Sequence, residues 1–208
     1  MKVRKGTWAL FLASEAAVIA LGVLAYSEGR GYPGNGASLG ALILTIPILL
    51  EWGGWFRMPL YMHLWAVMAV GLHAFGLVMG FYDTVWWWDE LTHAISSSMV
   101  CMIAALALYL FDIHSVKIKV PRWAYPMMVL TFAIFIGVIW EVAEFTGDVL
   151  AGTGMQYSTL DTLGDCYVDL IGGTFTSLIW VAWLWRDPGG HLRSSVQAPL
   201  IRLFDRVF

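Results

Sequence analysis

The feature that most constrains this chain is a series of six long apolar stretches separated by short polar connections. A hydrocarbon layer about 30 Å thick is spanned by a helix of about 20 apolar residues, and a chain inside that layer has to satisfy its backbone hydrogen bonds internally. The pattern therefore predicts an all-α, polytopic membrane protein with six transmembrane helices in a single domain, residues 1–208. The predicted helices cover residues 7–26, 39–55, 60–82, 91–111, 124–145 and 163–185.

Charged residues are scarce in this sequence. They make up 13% of the 208 residues, against about 25% in a typical soluble domain, which excludes a disordered chain and an ordinary soluble enzyme. The few basic residues form no patch that would bind nucleic acid. The two cysteines, Cys101 and Cys166, fall inside apolar stretches without the spacing of a disulfide or thiol metal site, so we expect them to be small buried apolar residues.

The basic residues predict the orientation of the helices, because Lys and Arg near membrane ends favour the cytoplasmic side. With the N-terminus inside, eleven of the twelve basic residues fall on the cytoplasmic side of an alternating six-helix arrangement, and only Arg30 falls outside. Both termini are then cytoplasmic, and we expect the chain in the plasma (inner) membrane. The eleven residues are Lys2, Arg4, Lys5, Arg57, Lys117, Lys119, Arg122, Arg186, Arg193, Arg202 and Arg206.

The final segment, residues 186–208, is predicted to be a short cytoplasmic tail. Leu200, Leu203, Phe204 and Val207 share one helical face, which favours an amphipathic helix on the inner membrane surface. A tail packed against the rest of the protein fits the same pattern.

Acidic residues form three clusters at the ends of predicted helices four, five and six. Within each cluster, spacings of three or four residues place the side chains on one helical face. The predicted topology puts all three clusters at the same depth, in the extracytoplasmic half of the membrane. The clusters are Asp89 with His93, Glu141 with Glu144 and Asp148, and Asp161 with Asp165 and Asp169.

These clusters have no basic partner nearby in the sequence, since no Lys or Arg occurs at residues 58–116 or 123–185. A buried carboxylate without a partner is costly, and it either protonates or binds a cation. A bound metal, protonated acids and a cationic ligand all stay open, and a metal is the simplest. Carboxylates with an imidazole suit divalent Mg, Mn, Ca, Fe or Zn. The predicted ligands are Asp89, His93, Glu141, Glu144, Asp165 and Asp169.

Two acids beside this predicted metal site, Asp148 and Asp161, are candidates for a general base. Ordinary cap or loop roles explain them at least as well, since Asp is favourable near a helix N-terminus. The site is not expected to be a di-iron centre of the bundle type, because that requires two Glu-x-x-His pairs and the chain has a single one, Glu90 to His93.

In combination, these motifs resemble those of the YjdF-like family of small bacterial and archaeal membrane proteins. The similarity spans about residues 51–175. The resemblance implies the multi-pass architecture and the acidic cluster, and it supplies no reaction. The residues that carry it are Arg57-Met58-Pro59 after Glu51, Tyr82-Asp83, Trp88-Asp89-Glu90-Leu91-Thr92-His93, Trp140-Glu141-Val142-Ala143-Glu144, and Asp161, Asp165 and Asp169 with Gly172-Gly173.

Three functions fit these observations. The first is a metal-dependent hydrolase or transferase acting on a lipid or a small apolar substrate at the outer leaflet. The second is an accessory or structural subunit of a larger membrane complex, whose acids bind a structural ion or a basic partner. Other membrane subunits or self-association of the chain are the expected partners in that case. The third is a cation or proton transporter, in which Glu15 and Glu51 form the inner half of a path.

Overall fold

The regular structure of this protein is helical. The computed structural model describes residues 5–56, 58–114 and 119–186, and within these ranges it contains seven α-helices. Six of them are long and apolar enough to cross a membrane, which confirms the predicted all-α fold. The predicted amphipathic tail lies outside the described residues, apart from Arg186. The helices are α1 (Lys5–Ser27), α2 (Gly31–Trp52), α3 (Leu60–Met79), α4 (Phe81–Thr84), α5 (Trp88–His114), α6 (Ala124–Ala151) and α7 (Thr159–Trp185).

The second helix begins earlier than the sequence predicts. Helix α2 starts at Gly31, whereas the expected start was residue 39 after a loop rich in Gly and Pro. Pro33 lies in the first turn, where a proline costs no intrahelical hydrogen bond because the first amides have no partner within the helix. The connection between α1 and α2 is therefore confined to residues 28–30.

Glycines in the left-handed conformation end two of the helices. Gly80 has a φ of 69° and ends α3, and Gly152 has a φ of 62° and ends α6. Helix α7 begins after Ser158, whose Oγ accepts a hydrogen bond from the backbone N–H of Asp161 at 3.1 Å. Because α6 ends at Ala151 rather than at the expected residue 145, and α7 begins at Thr159 rather than at residue 163, the connection between them is shorter than the sequence predicts.

The described residues fall into two compact units, with the boundary after Thr92, inside α5. The first unit packs α1, α2 and α3 around a small apolar core. Small residues in this core allow close approach of the helices, as is usual in membrane proteins. A Cβ added at Gly40 would lie 3.0 Å from Val70 Cγ1 and 3.6 Å from Val18 Cγ1. The core consists of Phe11, Val18, Ala25, Ala37, Ala41, Leu44, Val70, Ala74 and Val78.

The second unit contains α5 from His93 onward, together with α6 and α7. Helices α6 and α7 pack against each other, and Gly173 of α7 lies close to both neighbours. A Cβ there would lie 3.2 Å from Leu130 Cδ1 on α6 and 3.8 Å from Cys101 Sγ on α5. Cys101 is buried and Cys166 is half-buried, and both are free thiols. The close packing brings the polar residues of three helices into one interior.

We expect Gly40→Val to destabilise the first unit by about 1–3 kcal/mol, because the added methyl groups overpack the contact with Val70 and Val18. The measurement is the free energy of unfolding of the full chain in detergent. Gly71→Val is the matched control, since the same change on α3 meets no atom within 4 Å. Equal effects of the two substitutions would contradict the assigned close packing.

Candidate metal centre

A buried histidine of α5 lies among carboxylates from α6 and α7. The Nε2 atom of His93 is 3.9 Å from Glu141 Oε1 and 3.9 Å from Asp165 Oδ1. Its Nδ1 atom is 3.4 Å from Asp169 Oδ1. All four side chains are buried. The structure therefore brings together four predicted site residues, which are separated by up to 76 positions in the sequence (169 − 93).

The two ring nitrogens of His93 face different neighbours. Asp169 lies on the Nδ1 side, and its Oδ1 also accepts a short hydrogen bond from Ser97 Oγ, one turn after His93 on α5. Carboxylates lie on both sides of the ring, and the closer one, Asp169 at 3.4 Å, favours the proton on Nδ1 and the lone pair on Nε2. The lone pair of Nε2 then points to the side on which Glu141 and Asp165 lie.

Glu141 is a poorly paired polar group of this interior. Its exposed fraction is 5%, and neither carboxylate oxygen makes a hydrogen bond of standard geometry among the described residues, although the Thr162 side chain lies close enough to interact with it. The basic atom recorded near it, His93 Nε2, is at ion-pair distance rather than hydrogen-bond distance. Because a buried acceptor without a donor is costly, this carboxylate has the surroundings of a residue that binds a cation or holds a proton.

The predicted ligand Asp89 lies one turn before His93 on the same continuous helix and is half-buried. Asp89, His93 and Asp165 each offer one ligand atom, and these three atoms lie within 4.8 Å of one another. Two carboxylates and an imidazole at this spacing could hold a metal ion, as the sequence predicts. The donor set suits a divalent ion with oxygen and nitrogen ligands.

The other predicted site acids have different neighbours. Trp140 Nε1 donates a hydrogen bond to Glu144 Oε1 at 2.8 Å. Asp148 accepts hydrogen bonds from Thr153 and from two backbone amides of the following connection, at 2.5, 2.8 and 3.0 Å. The Asp161 carboxylate accepts from the backbone N–H of Tyr157 at 3.3 Å. The contacts of Asp148 and Asp161 are typical of acids in loops and helix caps. Glu144 as a metal ligand, and Asp148 or Asp161 as a general base, stay predictions.

Two residues of this centre were not predicted from the sequence. Ser97 follows His93 by four residues, a spacing that places both on one face of α5. Gly137 of α6 lies against Asp169, and a Cβ added at Gly137 would collide with the carboxylate. A glycine within an apolar helix gives no sequence signal that a carboxylate of another helix lies beside it.

The fold and this interior define a polytopic helical membrane protein with a buried group of carboxylates and an imidazole. Comparison with known families is consistent with that class. The chain matches the family described as "Predicted membrane protein (DUF2238)" over residues 7–186, and it belongs to that family. The chain is therefore an integral membrane protein, which confirms the membrane prediction and the expected contact with a lipid bilayer.

A curated relative is an uncharacterized protein of Thermotoga maritima, 30% identical over 110 residues. The match covers 50% of this chain and 53% of the relative, so the chain spans about half the length of the relative that it matches. No solved structure matches the chain. The family match and the relative confirm that the chain resembles an uncharacterised family of membrane proteins. Neither of these two matches names a substrate or a ligand.

We expect Gly137→Ala to destabilise the second unit by about 1–3 kcal/mol, because the new methyl group displaces the Asp169 carboxylate. The control is Gly172→Ala, whose Cβ meets Ala94 Cα at an ordinary 3.8 Å. Both changes remove a helical glycine, which on its own gains up to about 1 kcal/mol. Unfolding of the two variants in detergent measures the difference, and a stabilised Gly137→Ala protein would contradict the assigned contact.

Proposed function

We propose that His93, Asp165 and Glu141, with Asp89 from the preceding turn of α5, bind one divalent metal ion, and that the chain is a metal-dependent membrane enzyme. The observation that carries this proposal is the buried Glu141 carboxylate, whose oxygens make no hydrogen bond of standard geometry among the described residues. His93 Nε2 lies 3.9 Å from both Glu141 and Asp165. An ion between them would give each carboxylate the positive partner that the sequence lacks at residues 123–185.

Asp169 has a different role in this proposal. It lies on the Nδ1 side of His93 and accepts a hydrogen bond from Ser97, so it holds the ring in the orientation that directs Nε2 to the ion. A carboxylate behind a metal-bound histidine fixes its tautomer and raises its basicity. Ser97 in turn fixes Asp169, which makes Ser97 and Asp169 positioning residues rather than ligands.

The substrate class follows from where the centre lies in the chain. His93, Glu141 and Asp165 belong to helices that are long and apolar enough to span a membrane, so a lipid or another small apolar molecule is the substrate that can reach them from the bilayer. When bound, a divalent ion supplies activation of water or polarisation of a phosphoryl or carbonyl oxygen. We propose a hydrolase or a transferase, working on the extracytoplasmic side that the basic residues predict.

The half-buried Asp161 is the proposed general base, because it lies one turn before Asp165 on α7. Asp148 is the weaker candidate, since its carboxylate already accepts three hydrogen bonds from the connection that follows α6. A base that faces a metal-bound water needs a free acceptor oxygen. The Gly-containing connection at residues 152–158 adjoins both acids.

Purified full-length protein is expected to carry about one equivalent of a divalent metal, and Glu141→Gln or Asp165→Asn is expected to lose it. Elemental analysis of the protein in detergent measures the metal content. Glu144→Gln is the matched control, because it removes the same charge from α6 one turn away, at a side chain hydrogen-bonded to Trp140. Loss of metal in this control as well would make Glu144 a ligand too, as the sequence predicts.

Metal-free protein with an unaltered helical fold would overturn the proposal. If a basic membrane partner or a second copy of the chain then co-purified, an accessory subunit would be favoured. Cation or proton flux into vesicles that disappears with Glu15→Gln would favour a transporter. That alternative has some support in α1, where Glu15 Oε1 accepts a hydrogen bond from Thr45 at 3.0 Å while Oε2 is buried without a hydrogen-bond partner among the described residues.

We expect Ser97→Ala to weaken metal binding by about 10- to 100-fold, the usual cost of removing a residue that orients a ligand. Competition with a metal chelator measures this affinity. Ser97→Thr is the control, because it retains the hydroxyl donor to Asp169 and should restore binding. Equal affinity of the Ala variant and the parent protein would remove Ser97 from the centre.

A further inference from the structure

A second buried acid–histidine pair lies in the first unit, in a part of the sequence that precedes the residues of the candidate metal centre. Glu51 belongs to the last turn of α2, and His63 belongs to the first turn of α3. His63 Nε2 lies 3.2 Å from Glu51 Oε1. The exposed fraction is 0% for His63 and 8% for Glu51. Neither residue has a role in the proposed metal centre.

The hydrogen bonds of Glu51 define which ring nitrogen of His63 carries a proton. Glu51 Oε1 also accepts the backbone N–H of Met58 at 2.9 Å. An ionised Glu51 can only accept hydrogen bonds, so Nε2–H of His63 is the donor to it. The neutral ring then has its lone pair on Nδ1, which is buried and has no hydrogen-bond partner among the described residues.

The surroundings of the pair are apolar on the α1 side. The ring of Phe11 meets the His63 ring edge-on, with centroids 4.5 Å apart. Trp8, Phe11 and Ile48 line the same small pocket, in which Glu51 and His63 are the titratable members. The next acid along α1 is Glu15, one turn beyond Phe11, and Thr45 of α2 donates a hydrogen bond to it.

The charge of the pair changes with one proton. A Glu51 carboxylate beside a neutral His63 has a net charge of −1, and an isolated charge in an apolar interior is costly. One proton added to Nδ1 gives an imidazolium next to a carboxylate, with a net charge of zero. No electron transfer is involved, and no bond forms other than N–H. The lone pair that accepts this proton is the orphaned Nδ1.

We propose that Glu51 and His63 form a proton-binding site at the junction of α2 and α3, with Nδ1 of His63 as the atom that takes up the proton. The ligand is a proton rather than a metal ion, since the described pocket offers one imidazole and one carboxylate. The alternative is that Glu51 only clamps the connection to α3 through the N–H of Met58. A clamp requires no proton uptake at His63, so titration separates the two.

The experiment is ¹⁵N NMR of the full chain, labelled at histidine and held in lipid nanodiscs, over a pH titration. The Nδ1 signal of His63 is assigned by its absence in His63→Gln. We expect Nε2 to stay protonated throughout while Nδ1 changes reversibly from an unprotonated to a protonated nitrogen. In Glu51→Gln the proton affinity of Nδ1 should fall by about tenfold or more, which is about one pH unit.

Glu15→Gln is the matched control, because it removes another intramembrane acid of the same unit and should leave the His63 titration unchanged. A His63 ring that keeps one protonation state across the titration would overturn the proposal, and the unsubstituted protein alone gives that answer if Glu51→Gln does not fold. An equal proton affinity of Nδ1 in Glu51→Gln and in the unsubstituted protein would also overturn it, because the carboxylate would then have no part in the site.

Discussion

Carboxylates inside an apolar helical unit, without basic side chains to balance them, are the constraint on which the second unit depends. Glu141, Asp165 and Asp169 are buried there, and the sequence has no Lys or Arg at residues 123–185. The lost hydration of such groups is recovered only from hydrogen bonds, protons or bound cations. The imidazole of His93 lies within 4 Å of all three acids, so it is the group that they share.

The packing of the helices makes this arrangement possible. Glycine leaves room where a carboxylate or a neighbouring helix comes close, as at Gly137 beside Asp169 and at Gly173 between α5 and α6. Small residues have the same role in the first unit, where Gly40 lies against Val70. In a membrane, helix association depends on such close van der Waals contact and on interhelical hydrogen bonds. In the second unit, the polar site therefore depends on the same close helix packing as the apolar contacts.

The sequence predicts the helices well because the bilayer fixes their length and composition. It also predicts that the acids cluster, since helical periodicity sets which residues share a face. It does not distinguish Glu141, which is buried without a hydrogen bond of standard geometry, from Glu144, which accepts a hydrogen bond from Trp140 one turn later. That difference depends on how α6 is rotated toward its neighbours, and rotation is a property of tertiary packing. The start of α2 at Gly31 was missed because Pro33 reads as a loop residue, although a first turn accepts it.

The two histidine centres differ in the charge that their ligands must neutralise. At His63 one carboxylate is present, so a single proton brings the pair to zero. At His93 three buried carboxylates face the ring, and one proton on the ring would leave a net charge of −2. In the proposed centre a divalent ion would balance the charges of Glu141 and Asp165, and Asp169 accepts a hydrogen bond from Ser97. The half-buried Asp89 would add a further carboxylate to the ion. The number of carboxylates around each ring is therefore the reason for proposing a proton at His63 and a metal ion at His93.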